Sequence, residues 1–389
     1  MKPCSPQVTC LLNIGHALDH LFLLVFATAV SAIASDMGFA RWEDLMPFSV
    51  GAFFLFGIGS LPSGRLGDLW GRRQMMLTFY FGIGAAAIIT ATVTNAWQIA
   101  AALSLLGLFA SIYHPVGIPM LLQNAKNAGA TIGLSGFSGN LGVAAAAVVT
   151  GFLVKWLGWR AAFAIPGLVA IACGIYFAKV CPRETEPPAK RTSKSTVTLS
   201  PAALMRTFAV MTVAAITASL LFNFTTNGNG QLIKERMANI VTDPALLGLL
   251  LASVYALASL SQLLVGKLLD HYPLKRLFLI VLCAQAPVLF FAAHASGWAL
   301  YLLLTLAMAL IFGAIPFTDA MIARYIDDRL RSRVSGVRLS VSFGVSSLAV
   351  WALGPIVKAA GFESLWVAMA AIALVTLLVI FCLPDEASG

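Results

Sequence analysis

Residues 64–77 read GRLGDLWGRRQMML and separate two long apolar runs. Gly64 and Gly71 permit a tight turn, because glycine adopts backbone conformations that other residues avoid. A carboxylate such as Asp68 can accept hydrogen bonds from the backbone N–H groups at the start of a helix, where the helix dipole favours it. The stretch therefore predicts a short polar connection between two apolar helices.

The composition predicts that these helices lie in a membrane. The chain has 389 residues, of which 59% are hydrophobic and only 11% are charged. Soluble domains carry roughly 25% charged residues, and a helix needs about 20 mostly apolar residues to cross a bilayer. Apolar runs of that length recur along the whole chain, so we expect an all-α integral membrane protein in contact with the lipid bilayer. The six cysteines form no CxxC pair, and we expect neither a disulfide framework nor a zinc site.

Hydropathy predicts twelve membrane-spanning helices. Their approximate limits are 10–34, 45–66, 74–94, 97–122, 130–155, 160–180, 204–228, 244–266, 275–294, 297–324, 333–356 and 361–383. The gap at residues 181–203 is rich in proline and basic residues, which is typical of an extended, flexible linker. We therefore expect a cytoplasmic linker at 181–203 between an N-terminal half, 1–180, and a C-terminal half, 204–389.

The two halves resemble each other in sequence. GFLVKWLGWRAAF at 151–163 aligns with GPIVKAAGFESLW at 354–366, and GRLGD at 64–68 aligns with GKLLD at 266–270 at nearly the same offset. The alternative is chance similarity between glycine-rich apolar segments. Six helices duplicated in one orientation form the parallel repeat of secondary transporters, so the sequence predicts two pseudo-symmetric six-helix halves.

The basic residues indicate the orientation of the chain. The net charge is +9, and a basic chain can bind nucleic acid. If the N-terminus is cytoplasmic, however, most of the 25 lysines and arginines fall on the cytoplasmic side, as the positive-inside rule requires. We therefore attribute the charge to topology, expect no nucleic-acid partner, and place both termini in the cytoplasm.

The opening stretch resembles the loop signature of the major facilitator superfamily, Gly-x-Leu-x-Asp-x-x-Gly-Arg-Arg/Lys, and a degenerate copy follows at 266–276. The matching residues are Gly64, Leu66, Asp68, Gly71, Arg72 and Arg73. The resemblance covers the whole chain and implies the MFS fold of a secondary transporter that carries a small-molecule substrate. We expect this transporter to be a monomer. SIYHPVG at 111–117 and GLSGFSGNLG at 133–142 further resemble bacterial carriers of the fosmidomycin-resistance type, which implies the bacterial inner (plasma) membrane.

The resemblance also implies a cytoplasmic gate. In the family, the carboxylate of the signature binds the start of span eleven in the opposite half, here near residues 332–334, and the arginines complete a charge cluster that keeps this side closed. The simpler alternative is that the arginines only determine topology. The expected gate residues are Gly64, Asp68, Gly71, Arg72, Arg73 and Asp270.

A second polar feature lies in GHALDHLFLL, residues 15–24. Asp19 lies about 12 Å inside span one, at 1.5 Å per residue, and His114 lies at a similar depth in span four. An ionisable residue inside a membrane is costly and by default marks a function. Because spans one, four, seven and ten line the central cavity in the family, we expect Asp19 and His114 to meet and to exchange a proton as water access alternates. A fixed hydrogen bond between two helices is the structural alternative.

The same segment raises the possibility of a metal. His16 and His20 are four residues apart and share a helix face beside Asp19. Two imidazoles and a carboxylate, with His114 as a fourth ligand, could bind a borderline transition metal. No histidine-rich loop or nearby thiol supports this, and His16 lies close to the predicted cytoplasmic surface. We expect no resident metal or other cofactor, and count His16 and His20 among the candidate substrate-binding residues.

The second half has its own polar residues. Span seven ends in NFTTNGNGQ, residues 223–231, where the glycines are expected to break the helix near the outer surface. Asn223 and Asn227 could hydrogen-bond a substrate, or could simply begin a loop. Asp319 and Arg338 lie at comparable depths in spans ten and eleven, which predicts a partly buried ion pair that is either structural or an anchor for an anionic substrate.

These features predict a secondary transporter that moves a small organic solute by alternating access, coupled to protons. The narrower resemblance favours efflux. The absence of a Gly-Pro pair after Gly142, where related antiporters carry one, favours uptake by symport, and a carrier of a metal or metal chelate is a further alternative. We expect no enzyme, because no Gly-x-Ser-x-Gly, His-Glu-x-x-His or phosphate-loop motif occurs. The linker is too short for the added signalling domain of a receptor.

Overall fold

The computed structural model describes residues 5–123, 125–184, 201–325 and 328–383, without the side chains of 201–204, 244–245 and 323–333. Over these ranges the chain is helical and contains no β-strand. The helices are α1 (Pro6–Asp36), α2 (Trp42–Leu45), α3 (Val50–Trp70), α4 (Arg72–Thr90), α5 (Ala96–Ala110), α6 (Ile118–Leu122), α7 (Ala128–Leu157), α8 (Trp159–Val180), α9 (Pro201–Arg236), α10 (Pro244–Leu269), α11 (Leu274–His294), α12 (Gly297–Tyr325) and α13 (Asp328–Phe381).

Capping residues in the sequence determine where several of these helices begin. The Ser5 side chain accepts a hydrogen bond from Val8 N, and proline follows at the first helical position of α1. Asp243 caps α10 in the same way by accepting from Leu246 N at 2.9 Å. Both residues satisfy backbone donors that the first helical turn leaves free.

The described part of the chain contains ten helices that are long and apolar enough to cross a membrane. Two of these ten combine shorter elements, Trp42–Trp70 and Ala96–Leu122. The count agrees with twelve spans when α4 is added and α13 is divided at Gly361, where φ is +74° and the helical conformation is interrupted. An all-helical, multi-pass membrane protein is therefore confirmed.

The predicted break at the end of span seven is wrong. α9 continues without interruption to Arg236, eight residues beyond the predicted end at 228. The polar side chains bond within the helix: Thr226 Oγ1 donates to Phe222 O at 2.6 Å, and Asn227 Nδ2 donates to Asn223 O at 3.0 Å. These side-chain donors bond to the backbone of their own helix, and the glycines that follow, Gly228 and Gly230, do not end it.

Helices of the two predicted halves pack against each other on both sides of the molecular centre, α3 along α13 and α7 along α10. Glycine makes this approach possible: a Cβ on Gly133 would lie 2.6 Å from Gln262 O and 3.0 Å from Gly266 Cα. The division into 1–180 and 204–389 stays a prediction, since residues 185–200 of the predicted linker lie outside the described residues.

Candidate transport site

A helical irregularity places His114 at the centre of the molecule. Between α5 and α6 the backbone forms a π-helical turn, Tyr113–Gly117. Pro115 lies inside this turn and has no N–H to donate, so an ordinary α-helical hydrogen bond is missing there. π-turns within helices often occur at functional sites, and this one brings His114 to α1.

Asp19 is the most deeply buried carboxylate of this region. Its side chain has no solvent exposure, and neither of its oxygens accepts a hydrogen bond from the described residues. His114 Nε2 lies 3.5 Å from Asp19 Oδ2. His114 Nε2 also lies 3.3 Å from His20 Nε2, so the imidazole of His114 stands between the two side chains of α1.

His16 is buried rather than near a solvated surface, contrary to the prediction. It is only 4% exposed, its Nδ1 lies 3.0 Å from Ser135 Oγ, and its ring stacks on Tyr113 at 4.7 Å. Space for the ring comes from α7, where a Cβ on Gly139 would lie 2.6 Å from His16 Nε2. The close packing of α7 on α1, which distance along the chain does not reveal, buries this histidine.

The three histidines form a cluster that could hold a metal ion. One nitrogen from each of His16, His20 and His114 lies within 4.8 Å of the others. Imidazole nitrogens suit borderline transition metals. The sequence suggested this grouping as an alternative, and the structure brings the three rings together.

A central cavity of about 100 Å³ lies between the two predicted halves. A single water needs roughly 10–15 Å³ of such space, so the cavity has room for several waters or a small solute. Apolar side chains form most of its wall, among them four phenylalanines and three leucines. The polar residues that line it include His20, His114, Asn223, Asp319, Arg338 and Ser342.

The predicted ion pair is present at the edge of this cavity. Arg338 Nη2 donates to Asp319 Oδ1 at 2.6 Å, and the two side chains are only 6% and 12% exposed. Arg338 Nε and Nη1 meet no hydrogen-bond acceptor among the described residues. The guanidinium therefore has donors available beyond those that hold the ion pair.

The two candidate asparagines differ in position. Asn223 lines the central cavity, although its amide nitrogen donates to Ser219 O at 2.8 Å. Asn227 does not line this cavity, and its amide nitrogen donates within α9. The geometry therefore favours Asn223 over Asn227 as a substrate contact.

A smaller cavity of about 30 Å³ continues from the first on the α7 side. It is lined by His16 and by three polar residues that sequence reasoning did not select, Ser135, Asn140 and Gln262. The one sequence signal for Ser135 was its place in GLSGFSGNLG, whose glycines bring α7 close to its neighbours. No local signal pointed to the phenylalanine wall, because phenylalanine is common throughout this chain.

The gate signature adopts a geometry that differs in part from the prediction. Gly64 lies inside α3, which continues to Trp70, so the prediction that Gly64 forms the turn is wrong. Gly71 alone makes the turn, with φ at +105° and ψ at 144°. Asp68 Oδ1 lies 3.9 Å from Arg72 Nη2, and both side chains are buried.

The arginines of the signature also bond within their own half. Arg72 Nη1 donates to Pro119 O at 3.1 Å, while Arg73 donates to Ala178 O and Cys181 O at 2.8 Å each. Arg73 therefore caps the end of α8. The predicted contact of Asp68 with the start of span eleven, near residues 332–334, stays a prediction, since the side chains of 323–333 lie outside the described residues.

Asp270, which lies in the degenerate copy of the signature in the second half, contacts the first half directly. Asp270 Oδ1 and Oδ2 accept hydrogen bonds from Gly129 N and Ala130 N, each at 2.9 Å. These two amides begin α7, whose dipole favours a negative charge at that end. Asp270 therefore joins the two predicted halves at one end of their interface.

Residues 12–234 of the chain match the sequence model of the Major Facilitator Superfamily. A probable actinorhodin transporter of Streptomyces coelicolor is 28% identical over 161 residues, 40% of this chain and 28% of the relative. A tetracenomycin C resistance and export protein of Streptomyces glaucescens is 28% identical over 170 residues, 42% of this chain and 31% of the relative. The 4-hydroxybenzoate transporter PcaK of Pseudomonas aeruginosa is 26% identical over 181 residues, 45% of this chain and 40% of the relative. Each alignment thus spans less than half of the relative's length.

Solved structures share the fold. The human organic anion transporter MFSD10 matches with a TM-score of 0.75 at 14% identity, over 97% of this chain and 100% of that one. The proton:xylose symporter XylE matches with a TM-score of 0.77 at 12% identity, over 97% and 96%. The family match covers more than half of the chain, and family and relatives alike are carriers of small molecules rather than enzymes. This protein is therefore a member of the major facilitator superfamily of transporters.

Proposed function

We propose that the protein is a proton-coupled secondary transporter that exports a small organic solute, with Asp19 and His114 as the coupling residues. The observation that carries this proposal is the environment of Asp19. A buried carboxylate without hydrogen bonds is costly when ionised, and the imidazole at 3.5 Å borders the central cavity. The pair is thus suited to take up a proton in one state and to release it when water reaches the cavity.

The helix arrangement is suited to alternating access. The two predicted halves meet at Asp270 on one end of the cavity and, on the other, at an ion pair of 3.3 Å between Lys358 Nζ and Asp44 Oδ1. Opening either end requires one of these contacts to break while the other remains. Rocking of the halves about the central cavity would then expose it to one side at a time.

Export is favoured by two observations. The narrower sequence resemblance is to carriers of the fosmidomycin-resistance type, and one relative is named as a resistance and export protein. Uptake by proton symport is the second candidate, favoured by the missing Gly-Pro pair after Gly142. The direction of proton movement relative to the solute distinguishes the two candidates. Protons move opposite to the solute in export by antiport and together with the solute in uptake by symport.

The experiment uses purified protein in vesicles with an imposed pH gradient and a panel of small aromatic acids and amines. The wild type should accumulate its solute against a gradient while protons move in the opposite direction. Asp19→Asn should still equilibrate the solute but lose uphill accumulation, because the side chain can no longer take up a proton. Glu363→Gln, at a carboxylate 57% exposed, is the matched control and should behave as the wild type.

Two results would overturn the coupling proposal. Uphill accumulation by Asp19→Asn equal to that of the wild type would remove Asp19 from the mechanism. Loss of transport on adding EDTA, restored by Zn²⁺, would show that the histidine cluster works with a metal instead. EDTA is expected to have no effect.

We place the protein in a bacterial inner membrane, as a monomer with both termini in the cytoplasm. Cys10, near the start of α1, and Cys382, after the end of α13, are both exposed. An impermeant maleimide added to intact cells should therefore leave both thiols unmodified, and should modify them in inside-out vesicles. Modification of either thiol in intact cells would contradict this topology.

A further inference from the structure

We propose that the central cavity binds a small aromatic carboxylate, whose carboxylate contacts Arg338 and whose ring lies among the phenylalanines of the wall. This proposal names the substrate class of the proposed function and rests on it for the use of the cavity. It starts from Arg338, a side chain 94% buried that lines the cavity and retains two nitrogens without acceptors among the described residues.

The unused donors of Arg338 indicate a second acceptor. A guanidinium carries five N–H donors and no acceptor, and Asp319 receives only one hydrogen bond from it, at 2.6 Å. Buried polar groups are normally paired. An anion with oxygen acceptors satisfies the remaining donors and forms charge-assisted hydrogen bonds, which are stronger than neutral ones.

A second polar group on the same helix face points to the same ligand. Ser342 lies four residues after Arg338 on α13, lines the same cavity and is 2% exposed. Its hydroxyl has no hydrogen-bond partner among the described residues. A carboxylate that reaches Arg338 has an oxygen available for this hydroxyl, because residues four apart lie on one helix face.

The rest of the wall selects an aromatic body. Four phenylalanines line the cavity: Phe53, Phe56, Phe222 and Phe343. Phe56 and Phe343 come from opposite predicted halves and meet edge to face at 4.6 Å. Aromatic rings favour such edge-to-face and offset contacts with one another. The volume of about 100 Å³ is smaller than the roughly 150 Å³ of an apolar cavity that binds benzene, so it limits the aromatic body of a ligand to a single ring.

A separate cavity also ends at Arg338. It has a volume of about 260 Å³ and lies between α9 and α13, lined mainly by Phe208, Met211, Val337 and Val341. Both valines are exposed on the outer surface of α13. Arg338 is therefore bordered by space on two sides, which gives an amphipathic acid an apolar path towards the guanidinium.

The Asp319 carboxylate competes with a bound carboxylate for the guanidinium of Arg338. It already accepts from Arg338, and a second carboxylate placed beside it meets like-charge repulsion. Removal of the Asp319 charge should therefore strengthen anion binding, whereas a purely structural ion pair would lead to the opposite result.

The test compares benzoate with benzamide, which has nearly the same shape and no charge, by calorimetry on the purified protein. Benzoate should bind the wild type about tenfold or more tightly than benzamide, because hydrogen bonds to a charged group exceed neutral ones. Arg338→Met should remove this preference and Arg338→Lys should keep part of it. Lys155→Met, at an exposed cation of α7, is the matched control and should keep the preference in full.

Asp319→Asn provides an independent variant in case Arg338→Met does not fold. It should bind benzoate several-fold more tightly than the wild type. Equal binding of the two compounds, no binding of either, or weaker benzoate binding by a folded Asp319→Asn would overturn the proposal. Calorimetry measures benzoate binding without a pH gradient, so a failure of proton coupling in vesicles and a failure of anion binding are distinguishable.

Discussion

Replacing Asp270 by asparagine should weaken the contact that closes one end of the interface. In the structure both carboxylate oxygens accept backbone N–H groups of α7, from Gly129 and Ala130, at 2.9 Å each. Asparagine keeps one oxygen acceptor, while its NH₂ group faces the second amide and cannot accept from it. The change also removes the negative charge from the start of a helix.

The magnitude follows from the number and exposure of these bonds. A hydrogen bond to a charged group contributes about 1.5–3 kcal/mol, and a neutral one about 1 kcal/mol. Because Asp270 is exposed to solvent, the lower end of this range applies, and the closed arrangement should lose about 1–2 kcal/mol. Since 1.4 kcal/mol corresponds to a factor of ten, the population open at this end should rise roughly tenfold.

The assay is the rate at which a maleimide modifies Ile132→Cys in a background without native cysteines. Ile132 is 4% exposed and lines the smaller cavity on the α7 side, so its labelling reports opening of this end. Asp243→Asn is the matched control, because the Asp243 carboxylate caps its own helix α10, accepting from Leu246 N at 2.9 Å. An unchanged rate in Asp270→Asn, or an equal increase in Asp243→Asn, would refute the role of Asp270 as a gate contact.

Two further predictions concern packing and the opposite end. Gly142→Ala should lower the free energy of unfolding by about 1–3 kcal/mol, because the new Cβ would meet the Ala17 carbonyl of α1. Gly151→Ala, which has open space around its Cβ position, should leave the thermal unfolding temperature in detergent nearly unchanged, and equal shifts in the two variants would contradict the packing argument. Lys358→Met removes the exposed ion pair with Asp44 at the opposite end. Because such pairs contribute about 0–1 kcal/mol, the rate at which a maleimide modifies a cysteine reached from that end should rise no more than about fivefold. The increase should be smaller at high salt. A much larger, salt-independent increase would show that this contact involves more than the ion pair.

Much of the architecture could be predicted from the sequence because its signals are local. Membrane helices require long apolar runs, and these are visible without any knowledge of packing. The signature around Asp68 and Gly71 identified the family, since the turn at Gly71 needs a residue that tolerates positive φ. Two of the errors were also local in origin. The glycines at the end of span seven and Gly64 were expected to interrupt helices, whereas backbone hydrogen bonding in the apolar interior keeps both helices continuous.

Only some of the residues of the candidate site could be identified from the sequence. Asp19, Asp319 and Arg338 could be selected because an ionisable residue in an apolar run is rare and costly. Ser135, Ser342 and the phenylalanines of the cavity wall gave no comparable signal, since serine and phenylalanine are ordinary in membrane helices.

The sequence by itself determined the membrane-spanning helices, the family and the identity of the buried ionisable residues, because each depends on the chemistry of a short segment. Only the tertiary structure decided that His20 and His114, 94 residues apart, lie at 3.3 Å from each other, and that Arg338 faces the central cavity with unused donors. The physical reason is that such distances depend on how closely helices pack. That packing is controlled by glycines such as Gly139 and by the π-turn at His114, whose effects appear only when the helices are brought together.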